Sequence, residues 1–155
     1  MRRKDREISD DHEFEAIIDK ADVCRIALAN DNMPYIVTMN FGFVNGPAKM
    51  FFFHCSNEGK KLDMIRKNNH VCFELDIDHE IVKGKKGCDW GSRFTSIVGY
   101  GDIDIVTEKN AKIAGLNSIM THYGANHDYE YDDNTVEQTT ILRLRITEMT
   151  GKKKI

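Results

Sequence analysis

One stretch of the chain combines two adjacent lysines with the expected start of a helix. Residues 51–61 read FFFHCSNEGKK, an aromatic strand followed by a turn and a helix that begins near Gly59. The free backbone N–H groups of a helix N-terminus favour an anion, and Lys60 and Lys61 add positive charge there. His54 and Ser56 alternate outward at the strand end and can donate hydrogen bonds. The stretch is compatible with a phosphate pocket, but on local features alone a solvated basic helix face beside core phenylalanines is the favoured interpretation.

A second stretch, residues 88–101, places the single tryptophan of the chain close to an arginine. It reads CDWGSRFTSIVGYG, with Trp90 at the end of a charged, glycine-rich segment and Arg93 at the start of a strand. Arginine suits bidentate contact with a phosphate, and an indole can cover an aromatic ligand. Ser96 adds a hydroxyl. The alternative is that Trp90 plugs the end of a barrel and that Arg93 is a surface charge.

Other chemistries lack the residues that they need. The four cysteines form no C-x-x-C pair and the six histidines have no metal-ligand spacing, so no metal site is predicted. Gly99-x-Gly101 lacks the third glycine of a dinucleotide fingerprint, and no P-loop is present. The net charge of −3 argues against nucleic acid as a partner, and no apolar run can cross a membrane. No export signal is recognised, so we expect a cytoplasmic protein with reduced thiols.

The order of elements predicts a mainly β protein in one domain, residues 1–155. The chain is 41% hydrophobic and 30% charged, with no repeat or linker. Six strands are predicted from β-branched, aromatic and alternating residues, at 23–29, 34–43, 49–55, 71–75, 94–106 and 140–149. Helices are predicted at about 10–21, 58–68 and 107–123, the first capped by Asp10 and the third by Thr107. Gly99 and Gly101 predict a bulge or bend in the fifth strand.

Two segments carry weaker periodicity. Residues 77–92 are charged and glycine-rich and predict a long loop, and residues 124–138 predict irregular polar chain. With six strands and few helices, the expected architecture is a closed antiparallel barrel with peripheral helices.

Five segments, taken in order, carry a resemblance to a known family. They lie at residues 34–41, 53–63, 68–74, 93–101 and 146–152. Their order and spacing resembles the nitroimidazole-resistance (Nim) branch of the pyridoxamine-5′-phosphate-oxidase-like flavoproteins, over residues 20–152. Thr38 stands where many relatives have proline. The arginine–histidine pair near the C-terminus of true pyridoxamine-phosphate oxidases is missing, so that oxidation is the less expected activity.

The resemblance implies a six-stranded, Greek-key, FMN-binding split barrel. It implies a homodimer with a flavin, FMN or alternatively FAD, in each of two clefts between the protomers. Met39, Asn40 and Phe41 would line the isoalloxazine ring, partly through backbone groups, and Lys60 and Lys61 would hold the phosphate. This agrees with the anion site inferred above from the helix terminus.

Six further residues are placed near the cofactor by the resemblance. Three would lie along the flavin: His54, Cys55 and Ser56. Three would approach it from the same chain or from the partner chain: Trp90, Arg93 and Ser96. His54 is the candidate proton donor, because the ordinary pKa of histidine lies near working pH.

The expected function is that of a flavin-dependent oxidoreductase. It would reduce a small acceptor such as a nitroimidazole, whose nitro group becomes an amine. Three alternatives stay open: a non-enzymatic flavin carrier or binding protein, a heme-binding relative, and a barrel whose cleft has lost its ligand.

Overall fold

One antiparallel sheet dominates residues 3–155, the part of the chain described by this computed structural model. Its strands are β1 (Glu7–Ile8), β2 (Cys24–Asn30), β3 (Met33–Met39), β4 (Gly42–Asn45), β5 (Lys49–Ser56), β6 (His70–Val82), β7 (Gly91–Val106) and β8 (Thr139–Lys154). They are ordered β3-β2-β6-β7-β8-β5-β4, and β1 pairs with β8. Within the described residues, β3 and β4 end this order without pairing to each other, so the predicted closed barrel is wrong in this respect.

Four α-helices lie around the sheet: α1 (Asp11–Lys20), α2 (Lys60–Lys67), α3 (Lys109–His122) and α4 (Asp133–Gln138). The Asp10 side chain accepts a hydrogen bond from the His12 N–H, which confirms the predicted start of α1. The predicted Thr107 cap of α3 is wrong. Glu108 is the N-cap residue, and its carboxylate accepts from the backbone N–H groups of Asn110 and Ala111. No helix in residues 3–155 is long and apolar enough to span a bilayer.

The sheet curls around a core of aromatic side chains. Phe51 packs edge-on against Phe41 and Phe73, with ring centroids 5.3 and 5.2 Å apart. Phe53 is also fully buried in this cluster. Phe52 points to the other face of β5, where it packs under α3. Burying one such side chain stabilises the fold by about 1.5–3 kcal/mol, so this alternation fixes both faces of β5.

The predicted strand at residues 34–43 is two strands in the structure, β3 and β4. With the short β1, residues 3–155 contain eight strands instead of the six predicted. The chain breaks between β3 and β4 at Asn40 and Phe41. Gly42 then lies directly against the backbone of Ser118 and Ile119 in α3, where a Cβ atom would collide. Because this contact is tertiary, a run of strand-forming residues gives no local sign of the break.

The predicted loop at 77–92 is mostly wrong. β6 continues to Val82 and β7 starts at Gly91, so the two strands form a long hairpin and only residues 83–90 connect them. The register shifts between Ile77 and Glu80, where Asp78 has a positive φ of 57°. Residues 124–138, predicted to be irregular, contain the short helix α4.

The predicted bulge in the fifth strand is confirmed. The pairing of β7 with β8 shifts in register between Tyr100 and Gly101. At Gly99 a Cβ atom would collide with the ring of Phe73, so the close approach of that ring requires glycine.

Candidate functional site

Two contacts join α2 to the sheet: Lys61 lies beside Met39 and Cys55 near the ends of β3 and β5, and Lys60 lies beside Tyr35 earlier on β3. Lys61 Nζ lies 3.5 Å from Met39 Sδ, and the ammonium is close enough to the Cys55 thiol to affect its pKa. Lys60 Nζ lies 4.4 Å from the centroid of the Tyr35 ring, a cation–π contact. We call these five residues the lysine site. The structure thus brings together four of the predicted site residues and adds Tyr35.

The turn before α2 positions both lysines. β5 ends at Ser56, whose hydroxyl donates to the Glu58 carbonyl at 3.1 Å. Gly59 then has φ +129°, a value that favours glycine, and α2 begins at Lys60 with no side-chain cap. An uncapped N-terminus leaves backbone N–H groups without partners inside the helix. The lysine site therefore lies at a helix end that can receive an anion.

The two lysines also lack carboxylate partners. Within residues 3–155 neither Lys60 nor Lys61 forms an ion pair, whereas Lys49, for example, pairs with Asp11 at 2.9 Å. The acidic residue in the first turn of α2, Asp63, is bonded instead to Arg66 at 3.1 Å. The positive charge of the lysine site is therefore not neutralised by the part of the chain described here.

Cys55 adds an uncharged side chain to the lysine site. Burial raises the pKa of its thiol, because the thiolate loses solvation, while the nearby Lys61 ammonium opposes that shift. The net direction is upward from the ordinary value, so Cys55 carries a protonated thiol near neutral pH. Together with Met39, it makes the part of the site beside Lys61 weakly polar.

Of the predicted segment Met39, Asn40 and Phe41, only part is available to a ligand. Phe41 is fully buried, and its N–H donates to the Tyr123 hydroxyl at 3.3 Å. Asn40 is exposed at the break between the strands. Met39 is only 8% exposed and packs in the same core. Contact between this segment and a ligand would therefore involve Asn40 and backbone groups, while the Phe41 ring belongs to the core.

His54 and Ser56 lie on the face of β5 opposite to Cys55. Strand alternation turns both side chains away from the core, and both are exposed. The structure does not bring the His54 side chain to Lys61 or Met39. The predicted role of His54 as proton donor stays a prediction.

Trp90, Arg93 and Ser96 lie on the hairpin of β6 and β7, outside the lysine site. Trp90 is exposed, which argues against the interpretation of this side chain as a barrel plug. Arg93 Nη1 is bonded to Glu80 Oε2 at 3.0 Å and lines a surface cleft of about 500 Å³. Ser96 is paired across the sheet with Asp76 and Lys152. Within one chain these residues do not join the lysine site.

Three functional contacts were missed by sequence reasoning. Tyr35 had a local signal, since Tyr35 and Met39 are four positions apart on one strand and therefore share a face. Glu80 would have been found as the partner of Arg93 only if the hairpin register were known. Tyr123 had no local signal, because it contacts Phe41 from far along the chain.

Comparison with known proteins agrees with this fold. A solved structure from Bacteroides thetaiotaomicron, assigned provisionally as a 5-nitroimidazole antibiotic resistance protein, is 30% identical with a TM-score of 0.83, covering 95% of this chain and 86% of that one. The FAD and heme binding protein of Mycobacterium smegmatis is 16% identical with a TM-score of 0.84, covering 96% and 73%. A flavocytochrome of Azotobacter vinelandii is 14% identical with a TM-score of 0.80, covering 100% and 72%.

The fold is the split barrel of these proteins, and the sequence defines the family more closely. The family model described as pyridoxamine 5′-phosphate oxidase matches residues 10–153. The chain belongs to this family, as the resemblance of its motifs predicted. No match was found among the curated proteins.

Proposed function

We propose that the chain binds a flavin, with the flavin phosphate held at the lysine site, and that it reduces small acceptors such as nitroimidazoles. The observation that carries the proposal is the pair Lys60 and Lys61, which lies at an uncapped helix N-terminus without carboxylate partners in residues 3–155. Membership of the family supports it, as does the similarity to a provisionally assigned 5-nitroimidazole resistance protein.

The donors of the lysine site suit a flavin phosphate. Two ammonium groups and the free N–H groups of the first turn of α2 offer several charge-assisted hydrogen bonds to phosphate oxygens. Beside them, the half-buried side chains of Tyr35 and of the protonated Cys55 offer weakly polar surface to an aromatic ring system. The site therefore fits a ligand with an anionic tail and an aromatic head.

The chain's own residues would bind and orient the ligand. Lys60 and Lys61 would fix the phosphate, and Asn40, which is exposed at the strand break, would lie against the ring together with the backbone of residues 39–41. A bound flavin would supply the electron transfer, accepting electrons from a reduced nicotinamide nucleotide and passing them to the nitro group. Reduction of a nitro group to an amine consumes six electrons and six protons and releases two molecules of water, so repeated reduction by the nucleotide is required.

We further propose that the active form is a homodimer in the cytoplasm. On the outer face of the sheet, Ile36, Ala27, Cys72 and Tyr100 lie side by side in one row across β3, β2, β6 and β7. Ile36 is 64% exposed, and exposed apolar patches of this kind mark interaction surfaces. In the proposed dimer, the hairpin of the second copy, with its Trp90, Arg93 and Ser96, approaches the flavin.

The test is FMN binding by a charge-removed variant. Lys60→Gln together with Lys61→Gln removes two charge-assisted hydrogen bonds, so we expect FMN affinity to fall about 100-fold or more. Arg66→Gln together with Lys67→Gln makes the same charge change at the other end of α2 and should leave affinity nearly unchanged. Undiminished binding by the first variant would overturn the phosphate role of the lysine site.

Turnover separates the proposal from its alternatives. Reduction of a nitroimidazole with NADH or NADPH by the flavin-loaded protein supports the oxidoreductase. Bound flavin with no turnover under any reductant supports a flavin carrier. A Soret band in place of flavin absorbance supports the heme-binding alternative.

A further inference from the structure

The last turn of α3 is bound to the break between β3 and β4. Tyr123, the C-cap residue of α3, places its hydroxyl between two backbone groups. The hydroxyl accepts the Phe41 N–H at 3.3 Å and donates to the Asp22 carbonyl at 2.7 Å. One side chain therefore connects the break in the sheet to the turn that follows α1.

His122, the preceding residue, makes a parallel connection. Its Nε2 donates to the Ala21 carbonyl at 2.8 Å, and its ring lies 4.1 Å from the Phe41 ring, centroid to centroid. The two residues at the end of α3 thus contact the same two segments, through Ala21 and Asp22 on one side and through Phe41 on the other. This double contact restricts how the Phe41 backbone can move.

The contact with α3 continues into the next residue of the chain. Gly42 is pressed against the backbone of Ser118 and Ile119, so the chain after Phe41 cannot shift toward the helix. On the other side of the break, Met39 contacts Lys61 of the lysine site. The contacts with α3 therefore restrain the backbone of residues 39–42, beside the place where the flavin ring is proposed to lie.

We propose that Tyr123 is a positioning residue for the flavin site, one whose hydroxyl fixes the backbone of residues 39–41 against the bound ring. The inference rests on the proposed function. Tyr123 is 44% exposed, so its ring contributes little to the core. Its contribution to the fold is the pair of hydrogen bonds, and the hydrogen bond from the Phe41 amide is the one that reaches the site.

The test is Tyr123→Phe, with Tyr129→Phe as the matched control. Tyr129 is 43% exposed, and its hydroxyl makes no hydrogen bond to the protein within residues 3–155. Freeing the Phe41 N–H should weaken FMN binding about five- to tenfold. Oxidised and reduced FMN should be affected to different extents, which moves the midpoint potential, and the thermal midpoint of the flavin-free protein should change little. Tyr129→Phe should alter none of these.

Three results would overturn the inference. If Tyr123→Phe retains FMN with wild-type affinity, spectrum and potential, the proposed flavin site stands and only the role of Tyr123 falls. If the wild-type chain takes up neither FMN nor FAD, the proposed function falls and the inference with it. In the flavin-free wild type, a Phe41 amide that exchanges with solvent as fast as an exposed amide would show that the hydrogen bond does not hold the segment, whatever the variant does.

Discussion

The lysine site and the tip of the β6–β7 hairpin contain similar residue types but differ in how their charges are arranged. Lys60 and Lys61 have no carboxylate partner in the described chain and sit at an uncapped helix end. Arg93 is held by Glu80, and Trp90 is exposed. An uncompensated cation at a formed site is prepared for an anion, whereas a paired cation must first exchange its partner. Residue type alone did not separate the two regions; the pairing of their charges does.

The largest effect is expected from breaking the proposed dimer, because this would remove the hairpin of the second copy from the lysine site. Ile36→Asp places a charge in the exposed apolar row, so the dissociation constant of the dimer should rise about 100-fold. If hairpin residues of a second copy complete the site, FMN affinity should become dependent on protein concentration. Sedimentation velocity with parallel FMN titrations measures both. Val44→Asp on β4 is the control, and unchanged assembly in Ile36→Asp would argue against this surface.

The next largest effect concerns the turn that presents the lysines. Gly59→Ala places a side chain at φ +129°, which we expect to cost about 1–3 kcal/mol of unfolding free energy or to displace the start of α2. FMN affinity should fall by about tenfold as the lysines move. Gly87→Ala, where a Cβ meets no atom and φ is not positive, should be nearly neutral. Equal urea-unfolding midpoints and FMN affinities for both variants would contradict the account of the turn.

A smaller effect should follow from releasing Arg93. Glu80→Gln removes its partner, and since exposed ion pairs contribute about 0.2–1 kcal/mol, FMN affinity should rise up to about fivefold if Arg93 reaches the phosphate. Arg93→Gln should lower it. Fluorescence titration of FMN with both variants provides the measurement. A fall in affinity for Glu80→Gln would mean that the pair itself, rather than a free Arg93, serves the site.

The smallest effect lies within the lysine site. Because the pKa of Cys55 is raised by burial and lowered by Lys61, Lys61→Met should raise it further. The thiolate fraction at pH 8 then falls, so alkylation of Cys55 by iodoacetamide should slow up to about threefold relative to the exposed Cys88. Mass spectrometry of timed samples measures the two rates. Faster alkylation of Cys55 would show that the ammonium does not act on the thiol.

The sequence predicted the fold where the determinants are local. Alternation identified β8, and the Asp10 cap identified the start of α1, because both depend on neighbouring residues. The β6–β7 hairpin was missed because its two strands extend away from the core. Their residues there are largely charged and show no apolar face. The break at Asn40 was missed because it depends on packing of Gly42 against α3, which no local pattern shows.

For the site, local sequence was sufficient for α2 but not for its surroundings. Gly59, Lys60 and Lys61 are adjacent in the chain, so their joint placement at a helix N-terminus could be predicted. The bond between Tyr123 and Phe41 joins residues from distant elements and required the structure. The expected approach of Trp90 and Arg93 to the flavin depends on a second copy of the chain, so it stays a prediction.

The central claim is that the lysine site holds a flavin by its phosphate, and paired titrations of the wild-type protein with FMN and with riboflavin test it most directly. The two ligands share the isoalloxazine ring and differ in the phosphate. Loss of two charge-assisted hydrogen bonds predicts that FMN binds about 100-fold more tightly than riboflavin, with one FMN per chain. Equal affinity for the two ligands, or no binding of either, would contradict the account.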